Sequence, residues 1–456
     1  MVSKKSNISL WIAAVIMAAA CLHSCSPVSL DFNYTPGQVR PEGHIDRIPV
    51  KDYNNVFLMY SIGFNDLTSY LGDDIKDLLS SPLMRSRRDV VLIFSHLSNG
   101  LKFNELTKPT LTKIYRDQYG EIIKDTLMVL PETTVAADKE TLRSILTYTK
   151  ENFDAERYGI LLSSHGTGWV PEGYVSNPSK YESMTLTEGD DEFRCLMMME
   201  QRPDMPVYNM GRPDEIPVKS MGVHCVSEYT TIEMDINDIA DAFPFKMDYI
   251  IFDACYMGGI EVAYELRNAT DMLVASQTEI LAYGMDYETM TSYLFNTAGP
   301  DLVGLCERYY EYYNTRSGQL KSATISLVDC TQLEALAQVS KDLFSRYRSE
   351  LDKLLVSRDA QKYFRSKYET RTKHQWFYDF ADIVEKCNLS ESDLKTFHEA
   401  LDQAVPYKAA TEKFMSDITI KRHSGLSMYL PLTSGRDYLN SFYKSLEWNK
   451  ATGLVE

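Results

Sequence analysis

At 456 residues the chain is longer than one ordinary hydrophobic core needs. Its 44% apolar, 24% charged and 11% aromatic residues exclude a disordered or low-complexity polymer. The formal net charge of −17 argues against the clustered Lys and Arg on which nucleic-acid binding depends, so no nucleic-acid partner is expected.

The N-terminus reads as a targeting segment and not as folded structure. Lys4 and Lys5 precede an apolar run from Leu10 to Leu22, which at about 13 residues falls short of the roughly 20 that cross a bilayer as a helix. Leu22-His23-Ser24-Cys25 resembles a bacterial lipobox. That resemblance implies removal of residues 1–24 and a lipid anchor on Cys25, making the membrane a partner at the outer membrane or cell surface. An ordinary signal peptide with a fortuitous cysteine is the alternative. Residues 25–50, rich in Pro, Gly and Ser without periodicity, read as a flexible tether. Beyond them lie Cys195, Cys225, Cys255, Cys306, Cys330 and Cys387, none in a Cys-x-x-Cys pair. That spacing speaks against a zinc ribbon or thioredoxin-type site; secretion would permit disulfides, but core thiols are the plainer reading.

Val56–Tyr60 and Val90–Phe94 are short β-branched or aromatic runs that read as buried strands, with a helix over Asp66–Leu79 between them. Thr110–Arg116 and Glu121–Leu130 flank Tyr119-Gly120 as the arms of a hairpin do. A helix over Lys139–Asn152 leads to a third strand, Tyr158–Leu162; a fourth, Tyr249–Phe252, precedes a helix from Gly259 to Arg267. Strands at Met272–Ser276 and Ala323–Val328 follow. The alternation predicts an α/β fold, a mostly parallel central sheet flanked by helices, with a core over 51–330. Residues 171–234 form an insertion heavy in Pro, Gly, Met and acid, too long for a routine connection. From 331 to 456 the pattern is a helical extension that returns a last apolar strand, Gly425–Pro431, to the core.

An open α/β sheet presents its reactive groups in the loops beyond the carboxyl ends of its strands. Two residues of matched chemistry sit there: His165, in Ser164-His165-Gly166 after the third strand, and Cys255, in Asp253-Ala254-Cys255 after the fourth. An imidazole beside a thiol lowers its pKa or takes its proton, and the thiolate is the nucleophile. Gly166 lets a carbonyl approach the main chain, so its N–H and that of Cys255 are the candidate oxyanion donors. The N-terminus of the following helix would favour the thiolate further. Taken singly, a strand-end cysteine also fits a small buried apolar role, and a histidine in a turn a structural one. His96, after the second strand, is an alternative base without a following glycine.

The stretches YGILLSSHGTGW, Tyr158 to Trp169, and DYIIFDACYMGGIEVAYEL, Asp248 to Leu266, closely resemble the two active-site segments of the clostripain family, cysteine peptidases of the caspase-like clan. Ala275-Ser276-Gln277 with Gly284-Met285-Asp286-Tyr287 is similar to the segment lining that family's specificity pocket, and Gly425–Pro431 to its last strand. The resemblance implies a caspase-like fold and a cysteine endopeptidase with a His165/Cys255 dyad, no third catalytic member and no required cofactor. It further implies cleavage of peptide or protein substrates after a basic residue, with Asp253 binding the Arg or Lys; capping the following turn is the alternative role for that carboxylate. Asp286 is a second candidate pocket acid, although Met285 stands where the family usually has Trp and Thr278–Ala282 departs from its Pro/Gly-rich pattern.

Relatives are zymogens that cut themselves after a basic residue between the dyad segments, which makes Arg194, Arg202, Arg212 and Lys219 the self-cleavage candidates. Some relatives depend on calcium, for which Glu188-Gly189-Asp190-Asp191-Glu192 could supply oxygen ligands; a solvated acidic loop is the more ordinary reading of that run. The competing readings are a catalytically silent binding lipoprotein on the same fold and a peptidase with a non-basic preference.

Overall fold

A continuous apolar run becomes the central strand: β1 (Tyr53–Gly63) is buried from Asn55 onward because neighbours cover both of its faces. The structure, a computed structural model, describes residues 53–82, 88–100, 105–117, 119–174, 224–227, 230–296, 298–366, 375–433 and 438–456, all within one compact unit, Asp46–Glu456. The targeting segment, tether and Cys25 lie outside the described residues, as do Arg194, Arg202, Arg212, Lys219 and the acidic run Glu188–Glu192.

β1 pairs in parallel with β2 (Asp89–Leu97) on one side and β5 (Ala155–Ser163) on the other. The parallel run continues through β6 (Met247–Asp253) and β7 (Thr270–Ala275). Both edges are antiparallel. The predicted hairpin, β3 (Thr110–Arg116) and β4 (Ile122–Val129), lies beyond β2, and β8 (Thr324–Asp329) and β9 (Tyr407–Ala410) lie beyond β7. The order is β9-β8-β7-β6-β5-β1-β2-β3-β4, the mostly parallel sheet that the alternation predicts.

Successive residues of β1 enter opposite cores: Val56, Leu58 and Tyr60 one, Phe57 and Met59 the other. The second core is closed by α1 (Thr68–Ser80), α5 (Tyr287–Leu294) and α6 (Leu302–Asn314). The first is closed by α2 (Lys139–Asn152), α3 (Ile236–Ala242) and α4 (Ile260–Glu265), and by the C-terminal helices α7 (Leu333–Arg346), α8 (Arg348–Ser357), α9 (Phe380–Glu385), α10 (Glu391–Ala404), α11 (Tyr438–Tyr443) and α12 (Glu447–Thr452). Local rules set these elements. Asp138 starts α2 by accepting the Thr141 N–H at 3.0 Å, and Leu142, Ile145 and Leu146 then recur at helical spacing on its buried side.

The last apolar segment packs in the first core, with a strand shorter than its apolar run. Gly425–Pro431 is buried but does not join the large sheet: only Ser427–Met428 pairs, with Tyr378–Asp379. Gly425, at φ +86°, turns the chain in and Pro431 has no N–H to offer, which leaves little room for a ladder. The segment docks instead on the turn after Cys255, where the Ser427 N–H donates to the Gly258 carbonyl at 2.9 Å. The edge is taken by β9, whose sequence Tyr-Lys-Ala-Ala carries no apolar run.

Candidate active site

β5 and β6 run side by side with Ser163 opposite Asp253. His165 and Cys255 therefore each lie two residues past a register pair, at the carboxyl edge of adjacent parallel strands. Gly166 packs directly on the Cys255 backbone: a methyl added there would lie 2.5 Å from the Cys255 carbonyl oxygen and 3.0 Å from its nitrogen. The two residues predicted to supply oxyanion donors thus belong to touching stretches of main chain. Tyr256 is held at φ +61°, a left-handed conformation that costs a residue with a side chain about 1–2 kcal/mol. Its ring stacks on Phe377 at 4.6 Å, its N–H donates to the Thr278 carbonyl at 2.9 Å, and Gly168 leaves room for its own carbonyl. Those contacts hold the sharp turn that carries Cys255.

Both His165 and Cys255 are buried. The Cys255 sulfur accepts the Ile280 N–H at 3.1 Å, and the whole of Thr278–Ala282 is buried above it. Gln277 anchors that cover: its amide donates to Ser326 Oγ at 2.8 Å and to the Gly425 carbonyl at 2.9 Å, and its oxygen lies 2.8 Å from His423 Nε2. Burial, with Lys408 alongside, depresses His423 to about 3, so it bonds as a neutral imidazole. Arg365 reaches Glu279 at 3.4 Å and Asp417 at 3.1 Å. His165 Nε2 lies 2.8 Å from Oδ1 of Asp66, in the loop after β1. Burial pushes the Asp66 carboxyl up, but the charge and hydrogen bond of His165, with a bond from its own backbone, together hold it below its ordinary value.

The other predicted residues fall as follows. Asp253 is fully buried, its Oδ2 accepting from Ser163 Oγ at 3.0 Å and from the Tyr287 hydroxyl. Asp286, at the start of α5, is engaged by Arg308. His96 is a strand residue in β2, opposite Ile62, buried with its ring 4.8 Å from that of Phe64. Tyr256–Gly259 separates Cys255 from α4, so Cys255 is not in the first turn of that helix, where the expected dipole effect is concentrated. Cys306, Cys330 and Cys387 are free and buried. Burial raises all three thiols, Cys330 to about 12 and Cys387 to about 11, which leaves them poor nucleophiles at neutral pH. Among the described residues no group of three or more His, Cys, Asp or Glu is placed to hold a metal ion.

α4 carries an acid to which the sequence pattern assigns no role. Glu261 Oε1 accepts from the Tyr429 N–H at 2.7 Å and the Tyr443 hydroxyl at 2.8 Å, and both tyrosines pack on Trp169, at 4.5 and 5.1 Å. It therefore joins the helix after Cys255, the loop after His165 and the C-terminal residues. Burial raises its pKa from 4.5 to about 7 against those hydrogen bonds. A folded state that keeps the proton longer has a stabilisation fully present below about pH 4.5 and lost as pH rises through about 7. At about 1.4 kcal/mol per pKa unit the swing is about 3 kcal/mol. Glu261→Gln keeps the acceptor and the shape, so its Tm should match wild type near pH 4.5 and exceed it at pH 8. Thermal unfolding across that range checks this, and an unchanged slope in the variant would show that Glu261 does not titrate there.

The sequence profile of the clostripain family matches residues 59–191 and 214–453. The break between them takes in Arg194, Arg202 and Arg212 of the insertion. The chain is 22% identical over 290 residues to clostripain from Hathewaya histolytica, a match covering 56% of this chain and 48% of that protein, so it spans about half the length of that relative. Among solved structures, an inactive zymogen C11 protease from Parabacteroides distasonis has a TM-score of 0.65 and 26% identity, over 88% of this chain and 97% of that one. A secreted C11 cysteine protease from Bacteroides thetaiotaomicron has a TM-score of 0.66 and 26% identity, over 89% and 100%. The profile spans most of the chain with both the His165 and the Cys255 loops inside it, and the helix-flanked sheet is shared across nearly the full length of both structures; this protein belongs to the clostripain, or C11, family of cysteine peptidases.

Proposed function

We propose that this protein is an endopeptidase in which Cys255 is the nucleophile and His165 its base. The observation that carries the reading is the β5–β6 register, which brings the two loops together at one sheet edge with Gly166 against the Cys255 backbone. His165 takes the thiol proton and the thiolate adds to the scissile carbonyl. The oxyanion is stabilised by the Gly166 and Cys255 N–H groups, and the imidazolium returns its proton to the leaving amine. Water, deprotonated by His165, then releases the acyl group and restores the thiol.

Cleavage after Arg or Lys is the substrate preference we assign, with Asp253 as the anionic partner, supported by its position two residues before Cys255 at the end of β6. Since Ile280 covers the sulfur, substrate entry requires Thr278–Ala282 to move. A latent precursor fits that cover, and self-cleavage after Arg194, Arg202, Arg212 or Lys219 is the proposed release. One relative is described as an inactive zymogen and another as secreted. With the lipobox-like Leu22–Cys25, they support a secreted precursor anchored through a lipid on Cys25 at the outer membrane or cell surface.

A second reading, a non-basic preference, is favoured by the engagement of Asp253 with Tyr287 and of Asp286 with Arg308. A peptide library varied at the residue before the cut separates the two. Turnover of Arg and Lys peptides at least about 100-fold above Leu or Asp peptides, with the advantage lost in Asp253→Asn, is the expected result. A profile led by Asp or by an apolar residue would transfer the assignment to the second reading.

A further inference from the structure

The chain order across the sheet reverses direction at β1 and β5, the place where an open α/β sheet leaves a crevice between neighbouring loops. The β5 loop contributes His165 to that crevice, and the β1 loop, residues 64–67, contributes an acid. Phe64, Asn65 and Leu67 are all buried, and Asn65 folds the loop on itself: its Oδ1 accepts the Leu67 N–H at 2.9 Å and its Nδ2 donates to the Ile62 carbonyl at 3.3 Å. The same Ile62 carbonyl accepts from Ser164 Oγ at 3.0 Å, which ties the loop to the residue before His165. Between its buried neighbours Asp66 projects its carboxylate to His165, Oδ1 to Nε2 at 2.8 Å.

We propose that Asp66 is a positioning residue that fixes the tautomer and orientation of His165 and stabilises its protonated form; this rests on the reading of His165 as the base for Cys255. An ionised carboxylate can only accept, so Nε2 is the protonated nitrogen and Nδ1 is the basic one that receives the thiol proton. When it does, the ring becomes a cation 2.8 Å from an anion, with the imidazole buried and the Asp66 carboxylate partly exposed, so that water screens the attraction only in part. The depressed carboxyl of Asp66 agrees with an anion already held by the imidazole. Tyr70, on α1, also faces Asp66 and is paired edge-on with Tyr283; burial, Tyr283, Asp66 and Asp73 raise its pKa, so it stays neutral throughout the assay range and does not mimic the Asp66 charge.

The test compares Asp66→Asn, Asp66→Ala and Asp66→Glu in the activated full chain, with Cys255→Ala beside them. Asp66→Asn is expected to lower kcat 10- to 100-fold with KM within about 2-fold. It should move the acid limb of the kcat/KM profile, which follows loss of the proton from the base, down by on the order of one pH unit, because the imidazolium loses its anion. Asp66→Ala should behave likewise, Asp66→Glu should recover part of both effects, and the Tm of Asp66→Asn should stay near wild type. A merely structural role would lower Tm and raise KM without moving the limb, and that outcome overturns the proposal. So does a wild-type kcat and profile in Asp66→Asn while Cys255→Ala is inactive. If Cys255→Ala turns over like wild type, the underlying reading of the nucleophile fails instead, and the positioning role falls with it.

Discussion

Cys255→Ala is expected to lower kcat for peptide hydrolysis by about 10³-fold or more, because the step that divides acyl transfer into two easier ones needs a covalent nucleophile. The variant should still fold. The sulfur accepts the Ile280 N–H at 3.1 Å and lies 3.8 Å from the Ile280 carbonyl, both in a cover held independently by Gln277 and Glu279. Its loss costs on the order of 1 kcal/mol, a small part of the 5–15 kcal/mol typical of a folded protein. Cys255→Ser should be nearly as inactive, since a hydroxyl is far less acidic than a thiol and His165 alone is a weak means of ionising it. Labelling with a substrate-mimicking thiol reagent, read by mass spectrometry, gives the complementary measurement. Burial keeps Cys306, Cys330 and Cys387 protonated, so among these four thiols label is expected on Cys255. Undiminished turnover in Cys255→Ala would sink the peptidase mechanism. A Cys255 that resists labelling in protein whose cover has opened would favour a binding lipoprotein on the same fold.

The parts of this site that are legible in the sequence are those built from one stretch of chain. β1, β2, β5 and β6 announce themselves as apolar runs, and the residues just past them are where sheet proteins do chemistry, so His165, Gly166 and Cys255 can be singled out without knowing how the strands are ordered. β9 is illegible because Tyr407–Ala410 gains its strand geometry from pairing with β8, not from its own composition. Asp66, Gln277, Glu261 and Arg365 escape for a related reason. Each acts through a partner far away in the chain, 99 residues for Asp66 and His165 and 168 for Glu261 and Tyr429. No periodicity records such pairs. The one faint signal for Asp66 is an acid just past a core strand end, the position that also marks Asp253. The sequence similarly offers Asp253 as a pocket acid, but it cannot show that Ser163 and Tyr287 already engage that carboxylate.

Arg365→Ala should be the most destabilising surface-distant substitution in the cover over Cys255, by about 3–5 kcal/mol, the usual cost of removing one partner from a buried ion pair. Glu279 is fully buried and Arg365 nearly so, with Nη1 3.4 Å from Glu279 and Nε 3.1 Å from Asp417. Asp417 would be the better compensated acid, since it is partly exposed and also accepts the Ser366 N–H at 3.1 Å. Glu279 would face the loss of its cation in a dry site, and two responses are open to it: to take up a proton or to carry Thr278–Ala282 outward toward water. The second uncovers the sulfur, because Ile280 is the next residue and its N–H is the group on Cys255. Phe364 tightens this coupling by packing edge-on against Tyr256 at 5.5 Å, so one short stretch of chain braces both the turn that carries the nucleophile and the segment that covers it. Arg365→Ala should therefore show a lower Tm and faster alkylation of Cys255 by iodoacetamide. Glu279→Gln with Arg365→Met should recover most of the Tm, since neither charge then remains buried. A single variant within about 1 kcal/mol of wild type, or one that is destabilised with no change in alkylation rate, would show that the ion pair does not hold the cover closed.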